Sequence, residues 1–186
     1  MSMELLAMPF LAEPDGYYEL EDARAAWLEH LEDVLSTLAH IASVDAFQAW
    51  IYTDPAGADG NARDAKWLEI RSRFEKGVDW TSLERERVAR WYRQLHIFEL
   101  PFYYIEYGIA QLGALQVFRN AVRNRREAVQ AYRSFLALGG TRPLPELYRA
   151  AGVELIFDAE RMGELVSFVE ERMEAIREGA LPFDVE

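Results

Sequence analysis

Residues 20–41 read LEDARAAWLEHLEDVLSTLAHI, and the spacing of their apolar side chains decides the fold. Leu20, Trp27, Leu31, Val34, Leu35, Leu38 and Ile41 fall along one stripe at helical spacing, with Glu21, Arg24, Glu29, Glu32 and Asp33 largely opposite. That is a long amphipathic helix whose apolar face needs a partner. From Val44 to Tyr52 it becomes apolar nearly all round, and Asp54-Pro55-Ala56-Gly57 stops it. No stretch alternates with period two over more than a few residues, so the fold class is all-α, a multi-helix bundle.

Helical spacing continues along the chain. It predicts a shorter helix from about Ala62 to Phe74, with Gly77 placed to end it. Thr81-Ser82-Leu83-Glu84 has the form of a capping box and predicts a helix running to about Glu99. Pro101 interrupts that helix and suits the first turn of the next, which is apolar on most faces to Val122 and carries Gly108, Ala110, Gly113 and Ala114 where backbones could come close. A polar helix from Arg125 to Leu138, a short helix from Leu144 to Ala151 stopped by Gly152, an extended link over 153–157, and a last helix over 159–177 capped by Asp158 complete the chain. With 186 residues, 51% of them apolar, the chain is expected to form a single helical domain over 1–186, with a loose tail from about residue 179.

Charge and composition narrow the function. A formal charge of −12 repels nucleic-acid phosphates, so no nucleic-acid partner is expected. Cysteine is absent, which removes disulfides, thiolate zinc sites and cysteine nucleophiles and suits a cytoplasmic location. No apolar run is expected to span a bilayer, and MSMELLAMPFLAE, with Glu4 in place of basic residues, is expected to belong to the fold and not to a leader.

Three histidines are present: His30, His40 and His96. His30 and His40 are ten apart, about 80° out of alignment on a helix, and neither begins an H-E-x-x-H motif, so both read as packed or surface residues. The arginines at 119, 123, 125, 126 and 133 read as a solvated face. Residues 96–107, HIFELPFYYIEY, differ in kind: on a helix starting near Pro101, Tyr103, Tyr104 and Tyr107 stand three and four apart, so their hydroxyls can gather, with His96 just before the break. Spacing alone favours a tyrosine-rich core whose hydroxyls find backbone partners over a site.

Residues 96–120, HIFELPFYYIEYGIAQLGALQVFRN, followed by YRSFLALGGTRPLPELYRAAGVEL, closely resemble the C-terminal part of oligoendopeptidase F, a zinc metallopeptidase related to thimet oligopeptidase; VDAFQAWIYTDP and DAKWLEIRSRF are similar to that family too. The resemblance implies the C-terminal helical part of a catalytic domain that cuts short peptides in a deep channel. It implies that zinc is held by an H-E-x-x-H helix and a later glutamate, with the motif's own glutamate acting as general base. By resemblance, His96 matches a downstream histidine and Tyr103, Tyr104 and Tyr107 match a tyrosine-bearing helix contacting substrate or the oxyanion. This sequence contains no H-E-x-x-H, and the third ligand is expected just before Met1, with Glu4 as a candidate outer support for it. No zinc is therefore expected to be bound by this chain alone, and no catalysis, whether it is a truncated product or one half of a split enzyme. Short peptides, a second chain carrying the zinc helix, and further copies of this chain are the expected partners, with no membrane. The alternative is a non-catalytic peptide-binding or self-assembly module.

Overall fold

A computed structural model describes residues 1–183, and among them there are eight α-helices and no strand. The helices are α1 (Ser2–Ala7), α2 (Leu20–Thr53), α3 (Gly60–Phe74), α4 (Glu84–Ala89), α5 (His96–Glu99), α6 (Ile105–Leu138), α7 (Leu144–Ala150) and α8 (Ala159–Arg177). The chain divides into two compact units: Met1–Leu35 with Ile109–Glu186, and Ser36–Gly108. The boundaries fall inside α2 and α6, so each long helix contributes to both.

In the first unit, Trp27, Leu31, Leu115, Phe118, Leu165 and Ile176 are fully buried. Trp27 donates its indole N–H to the Met8 carbonyl at 2.6 Å, which ties the N-terminal segment to α2. The expected link over 153–157 is extended and is held by a side chain in place of a strand. Gln116 donates to the Glu154 carbonyl at 2.7 Å and accepts from the Glu154 N–H at 3.1 Å, satisfying both backbone groups. Gly152, at φ +72°, supplies the left-handed turn that ends α7. Asp158 caps α8 by accepting from the Arg161 N–H. The segment from residue 179, expected to be loose, returns Phe183 to the core, 3% exposed and 5.9 Å from the Phe118 ring.

The second unit is built on aromatic rings. Val44, Phe47, Trp67, Ile70, Trp91 and Ile97 form one buried cluster, with Phe47 edge-on to Trp67 at 5.2 Å and to Trp91 at 5.4 Å. By length and composition α2 is apolar enough to cross a bilayer, contrary to the expectation above. Its apolar side chains at Val44 and Phe47 are instead used as core.

Four local expectations are corrected. Leu20 is exposed, so the buried stripe of α2 starts at Ala23. The capping box does not form. Ser82 sits at φ +67°, Thr81 gives both its N–H and hydroxyl to Asp79, and only the Glu84 side chain reaches back, to the Ser82 N–H. The single helix expected over 84–99 is α4, a 3-10 turn at Arg90–Arg93 and α5. Trp91 and Ile97 are six apart, about 120° out of alignment on a continuous helix, and both can enter one core only if the helix breaks between them. Finally, α6 begins at Ile105 and not at Pro101, because Phe102 is left-handed at φ +62°. The same helix is broken at Asn124 (φ −157°, ψ 94°), which divides the apolar and polar helices read from the sequence.

Gly113 lies where an added Cβ would stand 3.0 to 3.2 Å from the Tyr148 ring and hydroxyl, while Gly163, inside α8, faces open space. Gly163→Ala is therefore expected to raise stability by about 0.5–1 kcal/mol through helix propensity. Gly113→Ala is expected to lower it by about 1 kcal/mol or more through overpacking. Urea unfolding of the two variants checks both signs.

Candidate functional site

The site residues lie in the second unit, and α2 positions them. Gln48 donates to the His96 carbonyl at 3.1 Å and Tyr52 to the Ile97 carbonyl at 2.9 Å. Tyr52, one turn from Gln48, thereby satisfies a carbonyl that so short a helix as α5 leaves open, while Gln48 adds a second bond to the His96 carbonyl, which already accepts from the Leu100 N–H at 3.1 Å. Ile97 is buried beneath them. His96 is thereby held by its own backbone, half-buried, with its ring free to meet side chains.

Around that ring the structure brings together all three tyrosines singled out by sequence. Tyr103 lies parallel to the imidazole at 6.1 Å, while Tyr104 and Tyr107 meet it edge-on at 5.0 and 5.6 Å. Tyr107 packs edge-on against both Tyr103 and Tyr104 at 5.7 and 5.3 Å. Only Tyr107 stands on α6; Tyr103 and Tyr104 precede it. His96 Nε2 is 3.2 Å from the Tyr107 hydroxyl. Burial pushes the Tyr104 phenol above its ordinary pKa.

The histidine read as merely packed, His40, belongs to the same network. Gln94 bridges the two imidazoles, at 3.3 Å from His40 Nε2 and 3.2 Å from His96 Nδ1. His40 Nδ1 is 3.4 Å from Arg71, which also donates to Ser43 at 3.3 Å. Arg71 is 7% exposed and pairs with Glu75 at 2.7 Å, to which Arg90 adds a contact at 2.6 Å and Arg87 one at 3.5 Å. Burial alone would raise the Glu75 pKa, but the three guanidiniums hold it below the usual carboxylate range. Burial, reinforced by Arg71 and Arg90 against the opposing Gln94 bond, keeps the His40 pKa below that of a free imidazole. Neither Gln94 nor Arg71 carries a sequence motif. The positions that α3 gives Arg71 and the bend after the 3-10 turn gives Gln94 could not be read from spacing.

Among the described residues no group of three or more His, Asp or Glu side chains is placed to hold a metal. His40 and His96 each commit a nitrogen to Gln94, and Glu4, in the first unit, pairs with the Met1 amino group. The donors present do not fit a zinc site. The other residues set aside behave as solvated or packed groups: Arg119 faces Glu164 at 3.9 Å and Arg125 lies over the Phe10 ring at 4.9 Å.

The pattern that defines peptidase family M3 matches residues 1–164. The chain belongs to peptidase family M3. Among solved structures, Pz peptidase A with an inhibitor is similar at a TM-score of 0.83 and 30% identity, over 94% of this chain and 30% of that one. A protein named as an oligoendopeptidase F matches at 0.70 and 31% identity, over 83% and 27%. A further one, from Bacillus anthracis str. Ames, matches at 0.72 and 28%, over 95% and 28%. No curated protein matches. This M3 chain thus spans under a third of the length of the solved relatives, and it is a peptidase-family segment of a zinc metallopeptidase family.

The direction of the His40 shift sets a pH dependence. With its pKa lowered on folding, His40 contributes its full stability above the free imidazole value of 6.5. The contribution declines as pH falls below 6.5, because the unfolded chain takes up a proton that the folded site resists. Glu75 acts in a lower window: its contribution holds above 4.5 and is lost as pH falls through its lowered folded value. Urea unfolding between about pH 5 and 8, the range in which an imidazole titrates, is expected to show the upper component in the natural chain and not in His40→Asn.

Proposed function

We propose that this chain is the substrate-side segment of an M3 oligopeptidase: a surface that binds short peptides and presents hydrogen-bond donors to the scissile carbonyl. The single observation that carries this reading is the convergence of His96, Tyr103, Tyr104 and Tyr107 on one half-buried spot, where Tyr103 remains 46% exposed and accessible to a ligand. A phenol aimed at the carbonyl is worth more as negative charge develops on its oxygen, and removal of one such donor costs about 2.7 to 4 kcal/mol of transition-state stabilisation. Hydrolysis needs a zinc-bearing helix from outside these residues, and without that complement the segment is inactive. Zinc, when bound by that complement, supplies an activated water and a Lewis acid.

A second reading is favoured by the surface beside the site. Leu95, Phe98, Leu100 and Phe102 are each at least 49% exposed on consecutive turns. Apolar side chains clustered like this mark contact surfaces, and self-association through them would make the chain an assembly module.

Incubated with a bradykinin-like or other short peptide, the 186-residue chain is expected to bind without cleaving, with or without zinc. Tyr107→Phe is expected to weaken binding by about 2- to 10-fold, the worth of one neutral hydrogen bond. Zinc-dependent, chelator-sensitive turnover by the purified chain would overturn the proposal. Light scattering separates the second reading: a dimer or larger species is its expected outcome, and a monomer at micromolar concentration counts against it.

A further inference from the structure

We infer that Arg71 sets the direction of a hydrogen-bond chain running through His40, Gln94 and His96 to Tyr107, so that the Tyr107 hydroxyl can face a bound peptide only as a donor. The inference rests on the peptide-binding reading above, but its geometry stands by itself.

The direction follows from one fixed point. An arginine has no acceptor and does not lose its proton, so the His40 Nδ1 lying 3.4 Å from Arg71 must accept. A neutral imidazole that accepts at Nδ1 carries its proton on Nε2 and donates it to Gln94 Oε1 at 3.3 Å. The Gln94 amide is thereby oriented: its NH2 points to His96 Nδ1, 3.2 Å away, which must accept. His96 then carries its proton on Nε2 and gives it to the Tyr107 oxygen at 3.2 Å. The hydroxyl hydrogen of Tyr107 has to turn elsewhere, toward a ligand.

The reverse order fails at a specific place. Turning Gln94 over would set its NH2 against the His40 Nε2–H, and His40 could adapt only by moving its proton to Nδ1, where it meets the Arg71 N–H. Arg71 cannot swing away cheaply. It lies 7% exposed, bonded to Ser43 and Glu75 and stacked 5.6 Å from the Trp67 ring. Arg71, Arg90, Glu75 and Gln94 act on His40, the three tyrosines pack against the imidazoles, and the group bonded to His40 Nδ1 is Arg71, a donor. Both His96 nitrogens are engaged, one by Gln94 and one by Tyr107. Arg71, His40 and Gln94 are positioning residues; Tyr107 touches the substrate. The site is built to give a hydrogen bond to a carbonyl oxygen and to discriminate against ligands that present only a donor there.

Because the chain has just three histidines, long-range proton–nitrogen NMR of the whole 15N-labelled protein near neutral pH can assign each imidazole by single His→Gln replacements. His40 and His96 are both expected with the proton on Nε2 alone. Gln94→Glu presents an acceptor to both rings and is expected to place a proton on His96 Nδ1. Arg71→Gln is expected to abolish the single tautomer of His40 and, through it, of His96. A natural protein with His96 protonated on Nδ1, or a Gln94→Glu protein whose His96 keeps Nε2–H alone, overturns the inference. If Arg71→Gln does not fold, those two measurements still decide. Lost peptide binding with the expected tautomers sinks the peptide-binding reading and leaves the oriented chain intact.

Discussion

A guanidinium that cannot shed its charge has been placed at 7% exposure on α3, and the second unit is arranged around that fact. A buried charge is tolerated only when paired and hydrogen-bonded. Glu75, one turn further on and with its side chain 5% exposed, answers Arg71 directly. One carboxylate shared with Arg87 and Arg90 leaves the neighbourhood cationic, and that excess adds to burial in lowering the His40 pKa. A neutral, oriented His40 in turn gives Gln94 a face to choose, and Gln94 gives His96 its own. The aromatic cluster supplies the cohesion, but the polarity of the site traces to the arginine.

The fold was legible to the extent that periodicity is local. The ends of α2, α7 and α8 fell where Pro55, Gly152 and Asp158 placed them, because stop and cap chemistry acts within a turn. Legibility failed between residues 81 and 105, where tertiary demands override local ones. Trp91 and Ile97 must share a core, and Phe102, stacked near Tyr52 at 5.5 Å, takes a backbone conformation that no propensity would assign it. The division of the chain into two compact units, with boundaries inside helices, has no punctuation in the sequence at all.

The candidate site was legible in its aromatic half. His96 and the three tyrosines stand close together in the chain, so spacing could gather them even with the helix start misplaced: Tyr103 and Tyr104 reach the imidazole from the segment before α6 and not from the helix. His40, Arg71 and Gln94 were beyond reach because their link to His96 is spatial, assembled from α2, α3 and the bend after the 3-10 turn. Resemblance to a family singled out His96 and the three tyrosines. It could not name those behind them.

The residues of the second unit form one unbroken stretch of chain, whereas the first unit draws on two stretches separated by all of Ser36–Gly108. Loop closure costs grow with the length enclosed, and contacts distant in sequence form late. Closing the aromatic cluster and its neighbouring ion pair therefore encloses less chain than closing the first unit does. The first unit has to wait until the intervening chain brings α8 back toward the start of α2, where Arg24 meets the Gly179 carbonyl and Arg177 meets Glu32. The entropic cost of closure is thus lower for the unit that holds the candidate site.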